Sequence, residues 1–394
     1  MIASRDIEKY VRSPEFLKTE RLPIEQCPAV TVSLIVICKD EERCIQRCIN
    51  SILPIASEVI VIDTGSQDNT LAILSNYKDV ALFELEWDDD FSKIRNFGLE
   101  KANSDWVFFL DADEWFLDCN EHLWDLLGYL NTYKLTEASI FSPKIKCTEA
   151  STCWSNGRIF KKKSGIRYRG RIHEEPILEG KSPPCNVPID VSISHDGYEK
   201  SIIKKKDKGN RNISLLKKAL LEEPNDVRWR YFFLRDRLLM EDECIYDEIK
   251  NDMIVLMNEI CRNERRNLFY GYFREMYKIV MRILYFKSEY KEMIEVSNSF
   301  SEYLDGVSDF FYYLMAAEIE IVRANFIGDI SRILSCSIEK RESIDTSDNY
   351  SLNVEGLHID ELICLCLASL GNEDLSARYR DNIIENYPSR MLVF

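Results

Sequence analysis

Three short apolar runs set the rhythm of the first part of the chain. Val32 to Ile37, Val59-Ile60-Val61-Ile62 and Val107-Phe108-Phe109-Leu110 are continuous rather than alternating, as strands covered on both faces are. They are followed by Cys38, Asp63 and Asp111 respectively. Behind the first run, Cys44, Ile45, Cys48, Ile49 and Ile52 recur at helical spacing. Strand, helix, strand, helix, strand predicts a right-handed α/β layout. Ligands of such sheets lie outside the carboxyl ends of the parallel strands, so three strand ends face one crevice.

The third run closes on Asp111-Ala112-Asp113. Residues i and i+2 of extended backbone point the same way, so Asp111 and Asp113 can converge on one hard divalent cation, which in turn neutralises a diphosphate. With 67 acidic residues in the chain, the same tripeptide also arises as a solvated strand end, and its upstream context decides. Asp63 leads into Thr64-Gly65-Ser66-Gln67-Asp68-Asn69-Thr70, where Gly65 permits the tight turn its polar neighbours favour. A carboxylate there also suits a turn or a helix cap.

After residue 200 glycine and proline become sparse, and Leu, Ile, Phe, Tyr and Met recur three and four residues apart among charges. That is the pattern of stacked amphipathic helices. Ala219-Leu220-Leu221 ends one helix, Glu222 to Asp226 turns around Pro224, and Val227-Arg228-Trp229 starts the next, as at a tetratricopeptide-like junction. No clean repeat follows. The expected domains are a helical arm over 1–28, an α/β domain over 29–200 and a degenerate helical array over 201–394. Such arrays offer a groove to a peptide or a face to a second subunit. Tyr270, Tyr272, Phe273, Tyr277, Phe310, Phe311, Tyr312 and Tyr313 either line that groove or fill the core, with core the expectation for most.

Composition narrows the partners. At 394 residues, with 45% hydrophobic and 11% aromatic content, the chain is globular and long enough for two or three cores. A net charge of −16 argues against a general nucleic-acid binder. The basic runs Lys161 to Lys163 and Lys204 to Lys206 read as solvated faces. The first residues lack the apolar centre of a signal peptide, and no apolar run is long enough to span a bilayer. The 13 cysteines lack paired C-x-x-C spacing, so they read as reduced thiols in a cytoplasmic protein.

Four ordered motifs carry a resemblance: Val36-Ile37-Cys38-Lys39-Asp40-Glu41-Glu42, Asp63 to Thr70, Phe91-Ser92-Lys93-Ile94-Arg95-Asn96 and Asp111-Ala112-Asp113. Through them the chain resembles family 2 inverting glycosyltransferases of the GT-A fold. Arg171-Ile172-His173-Glu174-Glu175-Pro176, Ser194-His195-Asp196-Gly197-Tyr198 and Glu223 to Trp229 narrow it to the glycocin S-glycosyltransferases, which modify peptide cysteines. The resemblance covers most of residues 30 to 235. It implies a GT-A domain followed by a tetratricopeptide-like helical domain that binds peptide and forms a homodimer.

It also implies roles for individual residues. Val36, Cys38, Glu42, Asp63, Ser92, Arg95, Asp111 and Ala112 would line the nucleotide-sugar site. Asp63 would accept from the uracil imide, and Arg95 would reach uracil or diphosphate rather than pair with the Asp88-Asp89-Asp90 run. Asp111 would face the ribose or meet the ion through water. Asp113 and His195 would hold Mn²⁺ or Mg²⁺ directly, although a histidine ending a strand is otherwise an ordinary hydrogen-bonded edge residue.

Inversion needs a base opposite the departing UDP, and His173 or Glu174 is the candidate. The competing reading makes Arg171 to Pro176 a structural loop whose carboxylates pair with Arg158, Arg167, Arg169 and Arg171. The implied reaction moves glucose from UDP-glucose to a cysteine of a precursor peptide. A thiolate asks little of its base, since cysteine ionises near pKa ~8.5. A hydroxyl acceptor on a glycan or protein, or an inactive fold serving as an interaction module, are the alternatives.

Overall fold

The computed structural model describes residues 8–22, 29–116, 123–148, 151–155, 157–178, 182–195, 208–240, 243–264, 266–323, 327–344 and 355–386. Its contacts divide the chain into two compact units, Met1–Leu215 and Leu216–Phe394.

The first unit is built on a mixed sheet. Its strands are β1 (Val32–Cys38), β2 (Glu58–Asp63), β3 (Val80–Glu84), β4 (Trp106–Asp111), β5 (Glu114–Trp115), β6 (Ser139–Thr148), β7 (Ser151–Trp154), β8 (Ile159–Lys161) and β11 (Cys185–His195); β9 (Arg167–Arg169) and β10 (Glu175–Ile177) form a separate ribbon. The order is β3-β2-β1-β4-β8-β6-β11-β5, with β7 beside β6. Strands β3, β2, β1 and β4 are mutually parallel; the three apolar runs predicted β1, β2 and β4, and β3 adds an unforeseen edge. β8 then joins β4 antiparallel, and β5 closes the far edge antiparallel to the end of β11.

Helices α1 (Pro14–Leu17), α2 (Ile45–Ile52), α3 (Thr70–Leu74), α4 (Phe91–Lys101) and α5 (Leu123–Leu130) accompany the sheet. Alternation hidden inside the continuous runs sorts them. Leu34, Val36, Val61, Phe108 and Leu110 pack with α2 and α5, whereas Ile35, Ile60, Ile62, Val107 and Phe109 pack with Ile94 and Leu99 of α4. α2 buries Ile45, Cys48, Ile49 and Ile52, the face its spacing predicted. Gly98 lets α4 approach closely, because a Cβ there would lie 2.9 Å from Ile35 Cγ2.

The lead segment is folded onto this unit. Ser13 caps α1 through the Phe16 amide, and Phe16 is 1% exposed. Val11 bridges to Ile189, Arg12 Nη2 donates to Asp190 at 2.5 Å, and the Arg21 guanidinium lies over the Tyr129 and Tyr133 rings.

The second unit is all-α in its described residues, including helices Val227–Met240, Tyr246–Arg262, Tyr270–Phe286, Tyr290–Ser299, Ser308–Arg323, Ile327–Glu342, Leu357–Ser369 and Glu373–Asn386. A helix does end at Glu222 and the next does start at Val227, with Asp226 accepting from the Arg228 amide at 2.9 Å. Of the eight aromatics, Phe273, Tyr277, Tyr312 and Tyr313 are buried and Tyr272, Phe310 and Phe311 are partly buried against the same core. They are packing residues rather than a groove lining. No helix of the described residues is long and apolar enough to cross a membrane. The Lys204 to Lys206 run and Asp196-Gly197-Tyr198 lie outside the described residues.

Candidate active site

Register places the strand ends side by side. Cys38 pairs with Asp63 and Ile37 with Asp111, so the loops leaving β1, β2 and β4 emerge at one edge. The first two loops are stapled together. The Asp40 amide donates to Ser66 Oγ at 2.9 Å, and Asp40 Oδ1 accepts from the Gln67 amide at 2.7 Å. The Glu41 amide donates to Thr70 Oγ1 and the Glu42 amide to Asp68 Oδ2, while Glu42 Oε2 accepts from both the backbone and side-chain nitrogens of Asn69. Asp63 is the anchor. Its Oδ1 accepts from the Gly65 and Ser66 amides at 2.9 and 2.8 Å, and its Oδ2 accepts from Ser66 Oγ and from Cys38 Sγ. Gly65 takes a φ of 97°, which a side chain would resist.

Helix α4 organises a second wall. Asp90 caps it, accepting from the Lys93 amide and from Ser92 Oγ. Asn96 makes a two-way bond with Tyr168: its Nδ2 donates to the Tyr168 carbonyl at 2.8 Å, and its Oδ1 accepts from the Tyr168 amide at 2.9 Å. This pins β9 and the loop after it, in which His173 has a φ of 49° that side chains rarely adopt. One residue before Asn96 on the same helix, Arg95 Nε donates to Glu174 Oε1 at 2.5 Å and Nη2 lies 3.7 Å from Asp111 Oδ1. Its guanidinium lies against both the Phe109 and Tyr168 rings, 5.1 and 5.2 Å from their centroids.

The third wall is the Asp111–Glu114 turn. Glu114, 1% exposed, reaches back so that Oε2 accepts from the Asp111 amide at 2.9 Å. Arg158 donates from Nη1 to that same oxygen and from Nη2 to Asp111 Oδ2 at 3.1 Å. Strand β5 then matters: His195 pairs with Glu114 across β11 and β5, bringing His195 Nε2 to 3.4 Å from Asp113 Oδ1. Topology thus delivers to the turn a histidine remote in sequence.

Charge balance follows from these contacts. Burial opposes the charge on Asp111, yet Arg158 and then Arg95 outweigh it and lower its pKa. Burial dominates at Glu114 and raises its pKa. At His195 burial is outweighed by Asp113 and its acidic neighbours, which raise the imidazole. The Cys38 thiol, buried beside Asp63, is pushed up and stays protonated.

Comparison with known proteins gives this arrangement a family. Residues 33–150 match the family described as glycosyl transferase family 2. The chain carries a family 2 glycosyltransferase domain. It is 31% identical over 229 residues to the SPbeta prophage-derived glycosyltransferase SunS of Bacillus subtilis strain 168, covering 57% of this chain and 53% of that protein. It is also 31% identical over 206 residues to a TPR repeat-containing protein of Synechococcus elongatus, covering 50% of this chain and 49% of that one. The chain thus spans about half the length of these curated relatives. A solved mannosyltransferase of Pyrobaculum calidifontis, in complex with GDP-Man and Mn²⁺, shares 14% identity at a TM-score of 0.33, over 55% of this chain and 70% of that one. The fold is a GT-A α/β domain followed by an all-α region.

Around these strand ends the expected residues are distributed unevenly. Cys38, Asp63, Arg95, Asp111, Asp113, Glu174 and His195 surround the strand ends. The side chains of Val36 and Ala112 belong to the core, exposed Glu42 holds the β2 loop, and Ser92 belongs to the α4 cap. Arg95 does not pair with the aspartate run; Lys93 takes Asp88 instead, and Asp89 accepts from Trp87. Nor does Arg158 serve the Arg171–Pro176 loop, because β8 lies against β4 and hands it to Asp111 and Glu114. Glu114 and this use of Arg158 were missed. The signal for Glu114 was its place immediately after Asp113, while that for Arg158 exists only in three dimensions.

Proposed function

We propose that this chain is an inverting, metal-dependent glycosyltransferase that moves a hexose, glucose from UDP-glucose, onto a cysteine thiol of a ribosomally made peptide in the cytoplasm. The observation that supports it best is the approach of His195 to within 3.4 Å of Asp113 at the end of the parallel strands. A carboxylate oxygen and an imidazole nitrogen suit Mn²⁺, and also Mg²⁺. Among the described residues no three His, Cys, Asp or Glu side chains gather into a larger ligand group, which fits an ion completed by diphosphate and water oxygens. Asp113 and His195 would hold the ion, whose charge offsets the negative charge left on departing UDP.

The remaining residues divide the substrate. The loop anchored by Asp63, with the backbone around Val36 and Cys38, receives the base. Asp111, half-exposed and balanced by two guanidinium groups, faces the ribose. Arg95 Nε already engages Glu174 Oε1, which leaves that carboxylate committed to an ion pair. Proton removal therefore falls to His173, whose strained backbone is of the kind that gathers at functional sites. The sulfur–carbon bond forms on the face opposite UDP as the anomeric carbon–oxygen bond breaks; the thiol proton goes to His173 and the bonding pair leaves with UDP. The helical region is assigned to holding the peptide and to pairing two copies, which mass measurement in solution checks.

Incubation with UDP-sugars and Mn²⁺ should release UDP. Mass spectrometry of a cysteine-containing peptide should then show one added hexose that prior thiol alkylation blocks. Sugar transfer to the alkylated peptide would move the acceptor to a hydroxyl, and absence of any UDP release would refute the donor site.

A further inference from the structure

Arg158 touches two side chains of the Asp111–Glu114 turn, and the proposed reaction gives it no part beyond balancing the charge of Asp111. Its backbone is fixed twice, donating to the Phe141 carbonyl at 3.0 Å and accepting from the Phe109 amide at 3.1 Å, so it stitches β4 towards β6. Its side chain closes a ring: Nη2 to Asp111 Oδ2, Nη1 to Glu114 Oε2, and the same Glu114 oxygen back to the Asp111 amide. At 17% and 1% exposure, the Arg158 and Glu114 side chains are shielded from the solvent that weakens surface pairs.

Without this ring the turn would concentrate Asp111, Asp113 and Glu114 beside His195, with Arg95 left as the guanidinium against Asp111. Three carboxylates would then compete for one cation and repel a diphosphate. We propose that Arg158, through Glu114, is a positioning residue of the donor site: it holds Asp111 turned away from the Asp113–His195 pair, so that the ion is gripped weakly by the empty protein and firmly only with the nucleotide. The inference rests on the donor-site reading above.

The test reads two affinities on the full chain: Mn²⁺ alone by calorimetry, and UDP at saturating Mn²⁺. Arg158→Gln removes the cation and frees Asp111, so Mn²⁺ alone should bind about 3- to 10-fold more tightly while UDP binds about 10-fold more weakly. Arg158→Lys keeps the charge and should recover most of the UDP loss. A purely structural arginine would move both affinities down together or neither, and either result overturns the proposal.

A second pair of variants keeps it testable if Arg158→Gln fails to fold. Asp111→Asn should leave Mn²⁺ affinity within about 3-fold of the parent, while Asp113→Asn should lower it by more than about 10-fold. Equal losses would overturn the clamp and leave the donor site standing. A parent chain that binds no Mn²⁺ even in the presence of UDP would overturn both.

Discussion

The two units use charged side chains in opposite ways. In the helical unit they are spread out, each pair joining two helices: Arg274 with Asp309 at 3.1 Å, Lys250 with Glu292 at 2.8 Å, Arg341 with Asp360 at 2.8 Å. In the α/β unit Arg95, Asp111, Asp113, Glu114, Arg158, Glu174 and His195 crowd onto one edge of one sheet. A dispersed pair satisfies its own desolvation and fixes a helix register. A crowded set leaves every member's protonation and orientation dependent on the others, which is costly for stability and useful for binding a charged ligand. Burial alone does not mark a site; convergence does.

That contrast can be broken by mutation. Asp113→Ala should abolish UDP release, a loss of at least about 100-fold, with the melting temperature little changed. In the helical unit Asp309→Ala should do the reverse: Arg274 loses a buried carboxylate partner, costing about 3–5 kcal/mol in denaturant unfolding. Phe16→Ala should cost a similar ~3–5 kcal/mol, since the lead segment supplies part of the α/β core. Ser66→Ala removes a hydroxyl bonded to Asp63 and Asp40, and should cost about 1–3 kcal/mol while raising the KM for the UDP-sugar more than it lowers kcat.

The smallest effect concerns pH. Burial opposes the charge of Asp190, but Arg12 and Lys144 outweigh it and lower its pKa. Its contribution is therefore present above the ordinary carboxylate pKa and lost as pH falls through the lowered one. Asp190→Asn should remove about 0.5 kcal/mol at neutral pH and flatten the acid limb of the stability curve, read by urea titration from neutral to strongly acidic buffer.

The parallel half of the sheet was legible because β1, β2 and β4 are covered on both faces and so appear as unbroken apolar runs. The Pro224 junction was legible because proline and Asp226 act locally. In the far half β11 was legible as the strand that ends at His195, whereas β5 has only two residues and means nothing until β11 lies beside it. Partners of arginines were the least legible. Arg158 has acidic neighbours all along the chain, and only the β4–β8 pairing selects Asp111 and Glu114. Asp63 shows the converse: its place before a glycine turn was evident, and the structure occupies both of its oxygens within that turn and with Cys38.

The proposed donor site requires Asp113 and His195 together to grip the ion that holds the nucleotide. Crystals grown with UDP and Mn²⁺ test it most directly, through the anomalous signal of manganese. One peak is expected, bonded to an Asp113 oxygen, to His195 and to diphosphate oxygens, with Asp111 still turned to Arg158. A peak bonded to neither residue, or UDP bound at the strand ends with no ion beside it, would contradict it.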